Sequence, residues 1–266
     1  MKTIYIIPMA GLCNRMRSIA SGIFVAKKLG VDAVVYWNKE KGCNCKFKDL
    51  FLPETVKKVK FIDGGGIINV IPCRRNLKIP LLLQKLRYSQ VIYDFKSKYG
   101  DIFSILKDVD DILLESPHSM GEHYPFNEIF KPVDAVRKKI DSCIKDFEGE
   151  NIIGLHIRGT DNVKAKNVST IDMFILRIDE EVEKAPNVKF FLATDEITVR
   201  ESLLKRYGKR IIYNENVLSR DSVDGMQDAV VDLYCLSKTS RIIGSYWSSY
   251  SEIAAEIGGI KLEVCK

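Results

Sequence analysis

The sequence predicts an α/β fold of two doubly wound halves, each a parallel β-sheet with helices on its faces. Two observations support this prediction. Short apolar runs rich in β-branched residues alternate with longer segments in which apolar residues recur at helical spacing. A polar connection over 148–151 then separates a first half from a second half in which the alternation is more regular. We therefore place the domain boundary there, with domains at 1–148 and 149–266.

The first half starts with a strand, a turn, a helix and a second strand, which together are the building block of a parallel sheet. Its first helix is expected to end at Gly30, because glycine favours the left-handed backbone at a helix C-terminus. The predicted elements are strands at 2–8, 31–37, 57–63 and 111–115 and helices at 16–30 and 133–147. The segment 64–110 contains Gly64–Gly66 and Pro72–Arg75, which favour loops, and its organisation stays open.

The second half alternates strands and helices without interruption, which is typical of a doubly wound sheet. The predicted strands lie at 151–158, 188–193, 210–213, 241–244 and 261–264, and the predicted helices at 169–184, 196–207, 226–236 and 249–257. The helix over 226–236 shows its apolar residues on a 3.6-residue period, so one face should be buried.

The composition is typical of a globular protein with a small excess of positive charge. Of the 266 residues, 46% are apolar and 29% are charged, and the formal net charge is +6. Such a charge suits an anionic ligand, for example a nucleoside diphosphate, or an anionic surface. The basic residues are spread along the chain and RNA-type aromatic motifs are missing, so no nucleic-acid partner is predicted.

The seven cysteines argue against a secreted disulfide framework, since their number is odd and their spacing irregular. Cys43 and Cys45 form a lone C-x-C pair that lacks the second ligand pair a zinc site needs, so no metal is predicted. No apolar span reaches about 18 residues, and no membrane-spanning helix is expected. We expect the protein in the cytoplasm or at the cytoplasmic face of a membrane.

Polar residues follow four of the predicted strands, and ligands of open α/β sheets bind at such strand ends. The first of these ends carries His156, Arg158 and Asp161. Arg158 offers a planar fork of donors that suits a diphosphate and would stabilise the charge of a nucleoside diphosphate leaving group. The spacing is equally consistent with a structural arginine that pairs with Asp161 to brace the turn.

Two further strand ends in the second half carry a carboxylate and hydroxyl groups. Asp195 could accept two hydrogen bonds from guanine, or it could cap the helix that follows. Ser248 and Ser249 precede a helix, where hydroxyl and N–H groups bind phosphate or only cap the helix. For each of these residues, both a ligand contact and helix capping remain possible.

The fourth polar strand end lies in the first half and carries Gly11, Asn14 and Arg15. The glycine allows a tight turn and the close approach of a ligand. The sequence contains neither a dinucleotide fingerprint nor a P-loop, and it contains no nucleophile elbow.

These segments, in this order, resemble the fucosyltransferases: the α-1,6 and α-1,2 enzymes, the protein O-fucosyltransferases and the nodulation fucosyltransferases of rhizobia. The likeness comprises a His-x-Arg-x-x-Asp motif, an Ala-Thr-Asp strand end, an Asp-x-x-x-Leu-Ser helix, a Ser-Ser helix start and a Gly-x-x-Asn-Arg loop. In this sequence they are His156–Asp161, Ala193–Asp195, Asp232–Ser237, Ser248–Ser249 and Gly11–Arg15. The likeness covers the second half and residues 1–37, and 38–150 do not match.

The resemblance implies a GT-B-like architecture of two Rossmann-like domains facing a cleft, with the first on the acceptor side and the second holding the donor. It implies transfer of fucose from GDP-fucose to a glycan or lipid-linked saccharide, with inversion and without a metal or other cofactor. Arg158 falls on the diphosphate contact of the family. The other implied donor contacts are Gly11, Asn14, Arg15, His156, Asp195, Ser248 and Ser249. The basic charge also suits peripheral contact with an anionic membrane.

Two departures from the family pattern affect the predicted chemistry. The second arginine of the motif is Gly159 here, which leaves the sugar open between fucose and another GDP-linked sugar. No carboxylate follows Asp161 closely, so Asp161 is the candidate base only by elimination. Catalysis is then expected to depend on Arg158, which would assist departure of the diphosphate. A non-catalytic nucleotide-binding protein derived from this fold is the alternative.

Overall fold

The computed structural model describes residues 2–64, 78–93, 106, 110–159 and 167–266. The chain forms two units, which we call the N-terminal and the C-terminal unit. The first comprises Met1–Val133 with Arg220–Met226, and the second comprises Asp134–Ser219 with Gln227–Lys266. The predicted boundary at 148/149 lies within the C-terminal unit, because the helix at Asp134–Ile144 groups with the sheet that follows it.

The described residues of the N-terminal unit contain a parallel five-stranded sheet in the order β3-β2-β1-β5-β4. Its strands are β1 Thr3–Pro8, β2 Asp32–Trp37, β3 Val59–Asp63, β4 Gln90–Tyr93 and β5 Ile112–Ser116. Its helices are α1 Leu12–Leu29, α2 Lys78–Arg87 and α3 Phe126–Ile129. The β-branched sequence of β1 suits its central position, where Ile4, Ile6 and Ile7 are all buried.

The described residues of the C-terminal unit contain a second parallel five-stranded sheet, in the order β10-β9-β6-β7-β8. Its strands are β6 Ile152–Ile157, β7 Lys189–Thr194, β8 Ile211–Ile212, β9 Arg241–Ser245 and β10 Lys261–Cys265. Its helices are α4 Asp134–Ile144, α5 Ile171–Lys184, α6 Ile197–Tyr207, α7 Val223–Leu236 and α8 Ser249–Gly258. The first turn of α7 belongs to the segment that groups with the N-terminal unit.

The core of the C-terminal unit forms around β6, every residue of which is buried. Thr170 starts α5 by accepting the backbone N–H of Met173 on its side chain, and the apolar face of α5 then places Phe174 and Ile178 against the sheet. Gly154 is needed at the centre of β6, because a Cβ atom there would lie 2.8 Å from Thr239 Oγ1. Apolar burial along this strand therefore fixes the position of the residues that follow its carboxyl end.

The strand orders determine where each sheet can bind a ligand. In the C-terminal unit the chain runs from β6 to β7 and β8 on one side, then returns to β9 on the other side of β6. In the N-terminal unit the corresponding reversal lies between β1 and β5. Ligands of open α/β sheets bind at the carboxyl ends of the strands beside such a reversal, which we call the switch point.

The structure confirms the predicted α/β class and the alternation of strands and helices. It adds α2 and β4 within 64–110, the segment that the sequence left open. The loop predictions at 65–66 and 72–75 lie outside the described residues. The six cysteines of the described part of the chain are buried free thiols. No helix in that part is long and apolar enough to cross a membrane.

Candidate functional site

The carboxyl ends of β6, β7 and β9 bring the predicted polar residues of the C-terminal unit together. β6 pairs with β7 with Ile157 opposite Thr194, so Arg158 and Asp195 leave the sheet as neighbours. On its other side β6 pairs with β9, and the strand order reverses between these two strands. The residues that follow β6 and β9 therefore stand at the switch point, where a ligand is expected.

Arg158 is held at this position by both its side chain and its backbone. Its Nη1 lies 2.7 Å from Asp195 Oδ2, and the two side chains are 23% and 21% exposed. Asp195 also accepts the backbone N–H of Gly159 at 2.8 Å, and Arg158 donates its own N–H to Ser245 Oγ at 2.9 Å. Asp195 is thus one partner of Arg158, and the pairing with Asp161 that the sequence left open is untested, because Asp161 lies outside the described residues. A partly exposed guanidinium fixed in this way presents planar donors to an incoming anion.

Gly159, where the motif that the sequence resembles has a second arginine, fits closely against its surroundings. A Cβ atom on Gly159 would overlap Glu196 Oε2 and would lie 2.9 Å from Glu196 Cβ. Glu196 is the N-cap residue of α6, and its N–H donates to Thr194 Oγ1 at 3.2 Å. A larger side chain at this position would have to displace Glu196, so the local packing favours glycine here.

His156 is buried on β6, where it contacts two residues at the start of α8. Its ring stacks on Tyr250, with centroids 4.8 Å apart, and its Nδ1 lies 3.5 Å from Ser248 Oγ. Burial and the neighbouring Arg158 lower the pKa of His156 to about 3, against the opposing effect of Asp195. The imidazole is therefore neutral near pH 7. The strand predicted over 151–158 is shorter in the structure, where β6 ends at Ile157, so Arg158 follows the strand.

The start of α8 lies directly after β9 at the same switch point. Ser248 is its N-cap residue, but the hydroxyl forms no cap hydrogen bond and instead lies against His156. Capping therefore does not explain this hydroxyl. The N–H groups of a first helical turn attract anions, although Glu252 in this turn reduces the effect. Ser249 is the first residue of α8, and its role as a phosphate contact stays a prediction.

A buried carboxylate on α7 was not among the predicted contacts. Asp232 accepts hydrogen bonds from Asn214 Nδ2 at 2.7 Å and from Asn216 Nδ2 at 2.5 Å. Burial raises its pKa to about 7, against the opposing effect of the two amide donors. One turn earlier, Asp228 accepts the N–H of Val217 at 3.0 Å. The two aspartates thus hold the loop after β8, and their i, i+4 spacing was a signal visible in the sequence.

The loop after β1 makes its tight turn at a different residue from the one predicted. Ala10 has a positive φ of 66°, whereas Gly11 has a φ of −72° and is the N-cap residue of α1. A Cβ atom on Gly11 would meet nothing nearer than Gly42 O at 3.9 Å. The backbone and the surrounding space therefore do not require glycine there, and the predicted approach of a ligand to Gly11 stays a prediction.

Arg15 is fully buried in the N-terminal unit, where it braces this loop. Its Nε donates to Ala10 O at 2.8 Å and its Nη1 to Asn38 O at 2.6 Å. Its Nη2 pairs with Glu40 at 3.2 Å, and the guanidinium lies 4.7 Å from the centre of the Trp37 ring. These contacts give Arg15 a structural role, and its predicted contact with a sugar nucleotide stays a prediction.

Asn14 lies in the first turn of α1, partly buried, and its predicted role also stays open. Within the described part of the chain, no group of three or more His, Cys, Asp or Glu side chains could hold a metal ion. The groups that converge on the switch point of the C-terminal unit are thus a guanidinium, serine hydroxyls and helix N–H donors, a set suited to an oxyanion.

Comparisons with known proteins identify the fold. No protein-family model and no curated protein sequence matches the chain. The α-1,6-fucosyltransferase NodZ co-crystallized with GDP matches with a TM-score of 0.68 and 18% identity, over 95% of this chain and 91% of that one. A NodZ structure from Bradyrhizobium matches similarly, with a TM-score of 0.67.

Two other fucosyltransferase structures also match. A variant of Arabidopsis thaliana FUT1 in complex with GDP has a TM-score of 0.64 and 15% identity, over 99% of this chain and 70% of that one. POFUT1 in complex with GDP has a TM-score of 0.60 and 13% identity, over 99% and 98%. The chain therefore has the GT-B-like α/β fold of the fucosyltransferases, as its motifs predicted.

Proposed function

We propose that this protein is a glycosyltransferase that moves fucose from GDP-fucose to a saccharide acceptor. The observation that carries the proposal is the position of Arg158, a partly exposed guanidinium at the switch point of the C-terminal sheet. The same fold occurs in fucosyltransferases solved with GDP, which supports a nucleotide diphosphate as the ligand. An arginine at this point would bind the diphosphate and stabilise its charge as GDP departs.

The neighbours of Arg158 have supporting roles in this proposal. Asp195 holds the Arg158 guanidinium in place. Both of its carboxylate oxygens already accept donors of the protein, so a hydrogen bond from guanine would have to share one of them. Ser248 and Ser249 lie at the start of α8, where their hydroxyl and N–H groups would bind the phosphates. His156 stays neutral and keeps Ser248 against β6, so it does not act as an acid or base near pH 7.

The reaction breaks the bond between C1 of fucose and the diphosphate oxygen, and GDP leaves with the bonding electrons. The acceptor hydroxyl attacks C1 from the opposite face, which inverts the configuration, and its proton passes to a base. Asp161 is the candidate for that base. Arg158 supplies positive charge to the leaving group, so we expect the reaction to proceed without a metal ion.

The acceptor in this proposal is a glycan or a lipid-linked saccharide, and we place the reaction in the cytoplasm, at the inner face of a membrane. The net charge of +6 supports attraction to an anionic surface. Sedimentation with anionic vesicles at low salt checks this part, and no more sedimentation than with neutral vesicles would contradict it.

Release of GDP from GDP-fucose tests the proposed activity. The native protein should release GDP in EDTA, faster with a productive saccharide from an acceptor panel. Arg158→Ala should be slower by about 100-fold, the loss typical of removing a group that stabilises transition-state charge. Arg137→Ala, an exposed arginine of α4, is the matched control. The non-catalytic alternative, which Gly159 favours, predicts that the native protein binds GDP but releases none from GDP-fucose.

A further inference from the structure

Two large aromatic rings are exposed to solvent in the turn between β9 and α8. Tyr246 is 38% exposed and Trp247 is 57% exposed. Their centroids lie 6.4 Å apart, with the planes at 71°. Exposed aromatic surface of this size is a common sign of a binding site, because burying it against a ligand is favourable.

The turn that carries these rings is firmly anchored. The N–H of Tyr246 donates to Ser169 Oγ at 2.8 Å, and Ser251 Oγ donates to the carbonyl of Ser248 at 3.2 Å. Ser245 Oγ accepts the N–H of Arg158 at 2.9 Å. The rings are therefore exposed on a fixed backbone, and they directly follow Ser245, which is hydrogen-bonded to the backbone of Arg158.

Trp247 also has an unfavourable backbone conformation. Its φ is 51°, in the left-handed region that bulky side chains rarely adopt. Such conformations cost about 1–3 kcal/mol and concentrate at ligand sites. Glycine or asparagine would suit this backbone better than tryptophan.

The chemistry of a sugar nucleotide suggests what the ring contacts. The sugar is bonded directly to the diphosphate, so a diphosphate on Arg158 brings a pyranose ring to the end of β9. Fucose has a face formed by C–H groups and its C6 methyl, while its hydroxyl groups point elsewhere. The face of an aromatic ring carries partial negative charge and attracts such C–H groups.

We propose that Trp247 stacks on the pyranose ring of the donor, with Tyr246 beside it, and thereby favours a donor sugar with an apolar face. The inference rests on the proposed function, because it needs a diphosphate on Arg158. Trp247 would then determine which donor sugar the protein accepts. The sequence does not decide this, because Gly159 at the motif's second arginine leaves fucose and other GDP-linked sugars possible.

Affinities for GDP and for GDP-fucose separate this inference from the proposed function. Calorimetry should compare the native protein with Trp247→Ala and with Trp247→Asn, which suits the left-handed backbone and guards against misfolding. Both variants should bind GDP like the native protein. Both should bind GDP-fucose about tenfold more weakly, as expected for loss of one aromatic contact. Leu176→Ala removes an exposed apolar side chain of α5 and is the matched control.

Tryptophan fluorescence gives a second readout, since the chain has only two tryptophans and Trp37 is 1% exposed. GDP-fucose should protect Trp247 from quenching by acrylamide, and GDP should protect it less. If the ratio of the affinities for GDP and GDP-fucose is the same in both variants as in the native protein, Trp247 does not stack on the sugar. The proposed GDP site is not affected by that result. If the variants change only the KM for the acceptor saccharide, the stacking on the donor is also overturned, because Trp247 then contacts the acceptor. If the native protein binds neither GDP nor GDP-fucose, the proposed function fails as well.

Discussion

Arg15 and Arg158 both follow the central strand of a parallel sheet, yet the structure uses them in opposite ways. Arg15 is fully enclosed, and its donors are taken by backbone carbonyls and a carboxylate of its own unit. Arg158 is 23% exposed and is held by a carboxylate that is itself partly exposed. The two arginines thus differ in how far the protein encloses them. A fully buried guanidinium needs its donors satisfied within the protein, whereas a partly exposed one can also contact solvent or a ligand.

The comparison predicts losses of stability of very different size when each arginine is removed. Arg15→Ala leaves a buried carbonyl and the Glu40 carboxylate without their donor, so the free energy of unfolding should fall by about 3–5 kcal/mol. Arg158→Ala breaks a partly exposed pair and should cost less than about 1 kcal/mol. Urea unfolding followed by circular dichroism measures both. Equal losses for the two variants would show that the comparison is wrong.

A second difference within the C-terminal unit is the opposite pH dependence of two buried groups. The pKa of His156 is lowered to about 3, so between there and its ordinary value of about 6.5 the unfolded chain binds the extra proton and stability rises with pH. The pKa of Asp232 is raised to about 7, so above its ordinary value of about 3.9 the folded protein binds the extra proton and stability falls as pH rises. Between about pH 4 and 6.5 the two effects should largely cancel.

Single variants should expose each effect. His156→Asn removes the rising contribution, so its stability should fall with pH relative to the native protein by about 1.4 kcal/mol per pH unit. Asp232→Asn should show the reverse slope of similar size. Urea unfolding at half-unit steps from pH 4 to 6.5 measures both slopes. If stability depends on pH in both variants as it does in the native protein, burial does not shift the pKa values of His156 and Asp232 as described.

A third comparison concerns two glycines, Gly11 in the N-terminal unit and Gly154 in the C-terminal unit. Gly11→Ala should leave stability unchanged or raise it by about 0.4–1 kcal/mol, because its φ is ordinary and the space beside it is open. Gly154→Ala, the matched comparison, should cost about 1–3 kcal/mol because the new Cβ meets Thr239 and Leu236. If a ligand approaches Gly11 closely, Gly11→Ala should still lower turnover of GDP-fucose. Native turnover in that variant would remove Gly11 from the site.

The elements that the sequence predicted well are those with a strong local pattern. The apolar run of β6 and the periodic α7 determine their own structure, and Gly30 does end α1 in the left-handed conformation. β4 was not predicted, because a four-residue strand at the sheet edge leaves little periodicity in the sequence. Short elements of this kind depend on pairing with a distant strand.

The sequence indicated residues of the candidate site but not the contacts that these residues make. Arg158 was identified from its motif, whereas its partner Asp195, 37 positions further along the chain, follows from the register of β6 with β7. The burial of Arg15 likewise depends on Asn38 and Glu40, which follow a different strand. Such contacts between distant segments are set by topology, which local sequence patterns do not contain.

Calorimetric titration with GDP in EDTA tests most directly whether the donor site lies at Arg158. The native protein and Arg137→Ala should bind GDP alike, and Arg158→Ala should lose about 1.5–3 kcal/mol, the value of a charged hydrogen bond. Binding that is unchanged in Arg158→Ala would place the nucleotide elsewhere. No binding of GDP by the native protein would contradict the proposed function itself.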